Sequence, residues 1–83
     1  MKSVREILAE KGIVLESRYM IYRSDRSVYV VPYAHIRTAE KRANTVILYT
    51  GGIERISISF EDEKETDMFL EELLIYIERV YLR

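Results

Sequence analysis

The C-terminal third of the chain constrains the fold most, because it predicts one long helix with two separate apolar stripes. Between residues 62 and 82 the helical period gathers most large apolar side chains on one broad face. That face comprises Phe69, Leu70, Leu73, Leu74, Ile77, Val80 and Tyr81. A second stripe on roughly the opposite side comprises Met68, Ile75 and Leu82. A helix packed on one sheet needs only the first stripe, so the second stripe predicts a further partner.

The N-terminus predicts a short helix over about residues 3–11. Ser3 and Glu6 have the spacing of a capping box, in which each side chain satisfies the other residue's backbone. Gly12 follows at the position where many helices end in a left-handed conformation. A helix this short needs packing against the rest of the domain to be stable.

Apolar runs after this helix predict β-strands. The expected strands are 13–23 with an interruption near 17 and 18, 28–31, and a weaker one at 36–41. Turn-forming residues stand between them at 24–27 and 42–44. Pro32 ends the second run or confines it to the edge of a sheet, because proline has no backbone N–H to donate.

The clearest local pattern is a hairpin, in which Gly51-Gly52 separates β runs at 45–50 and 53–60. A two-residue glycine loop supplies the positive φ angles of a hairpin turn and pairs Ile47 with Ile56. The predicted core face comprises Ile47, Ile56, Ile58 and Phe60. The other face is mixed and is predicted to be partly exposed or an interface; it comprises Val46, Leu48, Ile53, Arg55, Ser57 and Ser59.

These elements predict a single α+β domain over residues 1–83. A short N-terminal helix precedes an antiparallel sheet of four to five strands, arranged as a meander or half-barrel. The long C-terminal helix packs on the sheet, with Asp62 as its N-cap and Glu65 completing the capping pattern. A domain this small buries only about 60–65% of its unfolded surface, so oligomerisation is a plausible source of stability.

The residue types argue against an enzyme and predict no cofactor. The chain has no cysteine, which excludes disulfides and thiolate chemistry. His35 is its single histidine, and no spacing supports a catalytic set around it. The acidic group Glu61, Asp62, Glu63 and Glu65 is interpreted as a helix cap and not as a metal site.

The expected location is the cytoplasm. No apolar run approaches the ~18 residues of a membrane span, and the charged N-terminus does not resemble a signal peptide. Charged residues make up 33% of the chain, while Gln, Cys and Trp are absent. This composition is typical of a thermophile protein.

Two functional hypotheses follow. The first is a non-enzymatic interaction module, a homodimer or an adaptor for another protein, with an interface at Met68, Ile75, Leu82, Val46, Leu48 and Ile53. The alternative is a small nucleic-acid-binding regulator, in which arginines hold phosphates and tyrosines on the sheet stack on bases. Its candidate residues are Arg18, Tyr22, Arg23, Arg26, Tyr29, Arg37, Lys41 and Arg42. The net charge of −1 and the acidic C-terminal helix disfavour it.

Residues 28–82 resemble small prokaryotic PH-like domains. The similarity is carried by 31–36 (VPYAHI), 45–52 (TVILYTGG) and 56–62 (ISISFED), followed by the amphipathic helix. Such domains have a similar order of a Pro-led strand, a hairpin, a strand ending in Phe and a closing helix. The resemblance implies a scaffold for partner binding and no particular ligand. The chain departs from the family by its helix before the first strand.

Overall fold

The computed structural model describes residues 2–52 and 55–81, in which a helix, six strands and a second helix follow one another. The helices are α1 (Val4–Glu10) and α2 (Glu63–Tyr81). The strands are β1 (Ile13–Leu15), β2 (Tyr19–Arg23), β3 (Val28–Pro32), β4 (Thr38–Arg42), β5 (Thr45–Tyr49) and β6 (Arg55–Ser59). A short 3₁₀ helix, Tyr33–His35, joins β3 to β4. The predicted α+β class is therefore confirmed.

The strands form two antiparallel sheets and not the single sheet of four to five strands that the sequence predicted. The first sheet has the order β1-β2-β3 and the second has the order β4-β5-β6. Pro32 ends β3, and the 3₁₀ helix then redirects the chain before β4 begins. Among the described residues, the outer edge of β3 is therefore left without a neighbouring strand.

Helix α1 begins and ends as predicted. The Ser3 hydroxyl accepts a hydrogen bond from the Glu6 amide at 3.2 Å and donates one to the Glu6 carboxylate. Gly12 follows the helix with a φ of 81°. A Cβ at this position would lie 2.4 Å from the carbonyl oxygen of Arg23. Position 12 therefore requires glycine both for its conformation and for the close approach of β2.

The hairpin of β5 and β6 has a register one residue away from the predicted one. Leu48 pairs with Ile56, and Ile47 pairs with Ser57, so the predicted Ile47–Ile56 pair is wrong. Side chains alternate between the two faces of a strand, so a slip of one residue moves each side chain of β5 to the other face. The core side of β5 consequently carries Val46 and Leu48, while Ile47 lies on the outer face, where its side chain is still buried.

The error comes from the loop. The last pair of the ladder among the described residues is Tyr49 and Arg55, and the odd number of residues between them does not allow a two-residue turn at the glycine pair. Gly51 does have the expected positive φ, at 87°. Ile53 lies outside the described residues.

The core lies between the inner faces of the two sheets, where α2 closes it. Its members come from both sheets and both helices. They are Leu8, Ile13, Met20, Val31, Tyr33, Ile36, Val46, Leu48, Ile58, Phe60, Phe69 and Leu73. The rings of Phe60 and Phe69 lie 5.3 Å apart, which ties β6 to α2.

Helix α2 buries only the centre of its predicted apolar face. Phe69 and Leu73 are fully buried, whereas Leu74 and Tyr81 at the flank are exposed. Thr66 is also fully buried, and its hydroxyl donates to the Asp62 carbonyl at 2.8 Å. An apolar pattern does not find this threonine, because its hydroxyl is satisfied by the helix itself.

The acidic start of α2 is a helix cap, as predicted. The Glu65 amide donates to the Asp62 carboxylate at 2.9 Å, and the Glu65 carboxylate accepts from the Glu61 amide at 3.3 Å. Lys41 on β4 makes ion pairs with Glu63 at 3.2 Å and Asp67 at 2.7 Å. These contacts fix the helix against the edge of the second sheet.

Candidate protein interface

The first sheet leaves one of its faces uncovered, and that face is apolar. The register of the three strands places Val14, Ile21 and Val30 side by side. The other members of the face follow from the alternation of side chains along each strand. We call this surface the valine face; it comprises Val14, Tyr19, Ile21, Arg23, Val28, Val30 and Pro32.

The valine face is exposed over most of its area. Val28 is 61% exposed and Val30 is 59% exposed, and Val14 and Tyr19 are exposed as well. Ile21, on the central strand, is half-buried by its neighbours. Single exposed apolar residues are ordinary on protein surfaces, but a contiguous set of them marks an interaction site.

The outer face of the second sheet shows what a solvated face in this protein looks like. The Tyr49 hydroxyl donates to Glu40 at 2.9 Å, and the hydroxyls of Thr45 and Ser59 lie 3.0 Å apart. The hydrogen bond from Tyr49, followed by that from Arg42, lowers the pKa of Glu40 below its ordinary value. Polar networks thus cover the second sheet, whereas the valine face carries one charged side chain, Arg23, at one end.

The edge strands β3 and β4 of the two sheets also differ in charge. β3 is an open edge whose five residues, Val28–Pro32, include no charge. The β4 edge carries Glu40, Lys41 and Arg42. Charged side chains and proline on an edge strand both hinder its pairing with other chains. On β3 only Pro32 has this effect.

Two of the three sheet residues of the predicted interface, Val46 and Leu48, are not on the surface. Val46 and Leu48 have no exposed surface, because the observed hairpin register turns them into the core. Ile53 lies outside the described residues. The exposed apolar sheet surface belongs instead to the first sheet, whose strands include the predicted nucleic-acid-binding residues Tyr22, Arg23 and Tyr29.

The helical part of the predicted interface is only partly visible. Ile75 is 43% exposed on the outer side of α2, and Met68 is half-buried. Leu82 lies outside the described residues. Beside this stripe, the Arg79 guanidinium lies 5.2 Å from the centre of the Tyr76 ring, which holds it against the helix. The stripe therefore offers a smaller apolar surface than the valine face.

The structure does not bring the predicted nucleic-acid-binding residues together. Tyr22 and Tyr29 stack on each other at 5.9 Å, on the inner side of the first sheet and opposite Arg23. Two other cations are held by carboxylates: Lys41 by α2 and Arg42 by its neighbour Glu40. Arg37 directly precedes β4 of the second sheet, and its side chain lies beside Gly51.

Two further arginines of that set are far apart. Arg18 precedes β2 and Arg23 ends it, so about 16 Å of extended strand separates them. Arg18 borders a cleft of about 630 Å³ between the helices and the β1–β2 turn, together with Arg5 and Arg79. Arg26 lies in the turn after β2, at the opposite end of the strand.

Tyr33, which lies in the same part of the chain as these residues, belongs to the core. It has no exposed surface, and its hydroxyl donates to the Glu16 carbonyl at 2.6 Å. Burial raises the pKa of the Tyr33 phenol well above its ordinary value. The side chain ties the 3₁₀ helix to the β1–β2 turn, and its position directly after Pro32 is the only sequence signal for this role.

His35 is exposed in the 3₁₀ helix. Within 2–52 and 55–81, neither helix is long and apolar enough to cross a membrane. No protein-family model matches the chain, and no curated protein matches it in sequence.

Proposed function

We propose that this protein is a non-enzymatic interaction module that self-associates through the valine face. The observation that carries the proposal is the contrast between the two sheets. The outer face of the second sheet is covered by polar networks, whereas the valine face exposes contiguous β-branched side chains. Exposed apolar area of this kind costs about 25 cal/mol per Å² relative to burial against a partner.

The size of the chain supports the same proposal. A domain of 83 residues has a thin stability margin, and burial of one more apolar face adds to it. A sheet with one buried and one exposed face normally alternates apolar and polar residues along each strand. β3 does not alternate, because Val28, Val30 and Val31 place apolar side chains on both of its faces.

The helix stripe of Met68 and Ile75 is the competing surface for self-association. It has the spacing of a seam between two helices, and Ile75 is accessible. Its described area is small, and the acidic residues that flank it, Glu71, Glu72 and Glu78, outnumber the one flanking arginine, Arg79. Like charges repel when two such helices approach each other, which favours the valine face.

One pair of variants tests the proposal and separates the two surfaces. Val30→Glu places a charge in the valine face, and Ile75→Glu makes the matched change on α2. Light scattering over a concentration series should show association for the wild type and Ile75→Glu, and loss of association for Val30→Glu. The reverse result assigns the interface to the helix. A wild type that stays monomeric up to about 1 mM refutes self-association.

Nucleic-acid binding is the alternative hypothesis, supported by the exposed Arg18, Arg23 and Arg26. It predicts a gel shift at low salt that weakens steeply as salt releases the counterions from phosphate. It also predicts that Arg23→Ala with Arg26→Ala weakens binding to all sequences alike. The absence of any shift at low salt removes this hypothesis.

We also propose that the scaffold is PH-like. Two antiparallel sheets followed by a closing helix support the proposal. The helix α1 before the first strand and the six strands in the described residues depart from that family's pattern. On a PH-like scaffold the uncovered face of the first sheet is available to a partner, which agrees with an assembly or adaptor role.

A further inference from the structure

Arg23 stands at one end of the valine face, and the β1–β2 turn just beyond the other end carries Glu16 together with Arg18. Arg23 ends β2 at one end of the face, where its amide donates to the Gly12 carbonyl at 2.8 Å. Glu16 stands at the other end, where its amide donates to the Tyr19 carbonyl at 2.9 Å. The β1–β2 register is observed as far as Leu15 and Met20. Its continuation by one pair sets Glu16 against Tyr19, and cross-strand partners share a face.

These two charges do not pair within one molecule. Tyr19 and Arg23 are four residues apart on β2, a distance of about 13 Å along the strand. This exceeds the Debye length of about 8 Å at physiological ionic strength, so Arg23 and Glu16 interact weakly across the face. Neither side chain forms an ion pair with another residue in the described part of the chain.

We propose that a second copy of this chain docks face to face on the valine face, with Arg23 of each copy against the partner's Glu16. The proposal rests on the self-association proposed above and adds its geometry. The two-fold axis lies between the sheets and perpendicular to the strands. Each strand then runs antiparallel to its own copy, with the sheets about 10 Å apart.

This axis matches the residues of the face to one another. The central row of Val14, Ile21 and Val30 falls on the same row of the partner and forms the apolar centre. Arg23 falls on the partner's Tyr19, beside the partner's Glu16, and the symmetry repeats the contact at the other end. The interface therefore has an apolar core with two ion pairs at its rim, the usual anatomy of a protein interface.

The other possible axis fails on charge. A two-fold axis parallel to the strands also superposes the central rows, but it brings Arg23 onto the partner's Arg23. Like charges at an interface oppose association, so the charge pattern selects the perpendicular axis. The sheet covers about 14 Å by 17 Å, which places the contact among small interfaces and predicts a dimer that dissociates on dilution.

Charge reversal tests this geometry. We expect Arg23→Glu and Glu16→Arg each to weaken the dimer by at least about tenfold, because each change removes two pairs and creates two repulsions. The double variant restores both pairs with opposite polarity and should return the dissociation constant to near the wild-type value. Arg55→Glu, an arginine on the outer face of the second sheet, is the matched control and should leave it unchanged.

A second measurement does not depend on charge. The chain has no cysteine, so Ile21→Cys provides a single thiol at the centre of the face. A short bismaleimide should cross-link it efficiently in the face-to-face dimer, where the two copies of position 21 face each other. Pairing of two β3 edges would instead hold them about 14 Å apart, across three strand spacings. Ile75→Cys is the control and should not cross-link.

The outcomes separate this inference from the proposed function. A dimer that withstands both reversals, or single reversals that the double variant does not rescue, overturns the proposed axis while self-association stands. Efficient cross-linking through position 75 and not through position 21 overturns it as well. A wild type that never associates overturns both.

Discussion

Truncating Leu73 on α2 tests the core most directly, because Leu74 beside it is a matched control. Leu73 is fully buried, whereas Leu74 is 44% exposed. Both changes replace leucine by alanine in the middle of the same helix, so the gain in helix propensity is equal. The difference between the two variants therefore reports tertiary packing alone.

The expected magnitudes follow from burial. Leu73→Ala removes about three carbon groups at about 0.8 kcal/mol each and leaves a cavity between the sheets, for a total loss of about 2–5 kcal/mol. Leu74→Ala should cost less than about 1 kcal/mol, because the side chain is already partly in water. A domain of this length has a total stability of about 4–12 kcal/mol, so Leu73→Ala removes a large fraction of it.

Urea denaturation followed by circular dichroism measures both values. All variants are compared at one protein concentration, because self-association makes the apparent stability depend on concentration. A cost below about 0.5 kcal/mol for Leu73→Ala, or equal costs for the two variants, would show that the buried side of α2 is assigned wrongly.

Three other predictions concern single positions. Gly12→Ala should lower the free energy of unfolding by more than about 1 kcal/mol, since its Cβ meets the carbonyl of Arg23; an unchanged urea midpoint contradicts this. Ala43→Gly should raise the free energy of unfolding by about 0.5–1 kcal/mol and so raise the urea midpoint, because Ala43 has a φ of 54°; a lower midpoint argues against strain there. Burial raises the pKa of Tyr33, so its stabilisation is complete below about pH 10, the unfolded pKa, and declines as the pH rises further. Tyr33→Phe should lower the free energy of unfolding by about 1 kcal/mol at pH 8. In thermal melts above pH 10, the stability of this variant should fall less steeply than that of the wild type; parallel declines of the two proteins refute the assignment.

Local sequence patterns determined most of the elements of this fold. The two helix caps at Ser3 and Asp62, the left-handed Gly12 and the strand at β2 follow from interactions among residues close in the chain. Such contacts need no tertiary partner, so their residue types and spacing are sufficient to predict them. The central burial of α2 also followed from its apolar period, because that period is fixed by helix geometry.

The candidate interface could not be predicted in the same way. Which face of β5 meets the core depends on the number of residues in the hairpin loop. A shift of one residue placed Val46 and Leu48 on the core side and Ile47 on the outer side, where it is also buried. The split into two sheets depends on how the chain turns after Pro32, which leaves β3 as an open edge.

Exposure of the valine face is a property of the assembled domain. The strands of the first sheet are apolar on both sides, so their sequence does not say which side meets the core. The packing of α2 and the second sheet on the inner side decides it and leaves the other side uncovered. The sequence alone specified the strands, and the tertiary structure decided which of their faces remains for a partner, because burial depends on contacts between distant parts of the chain.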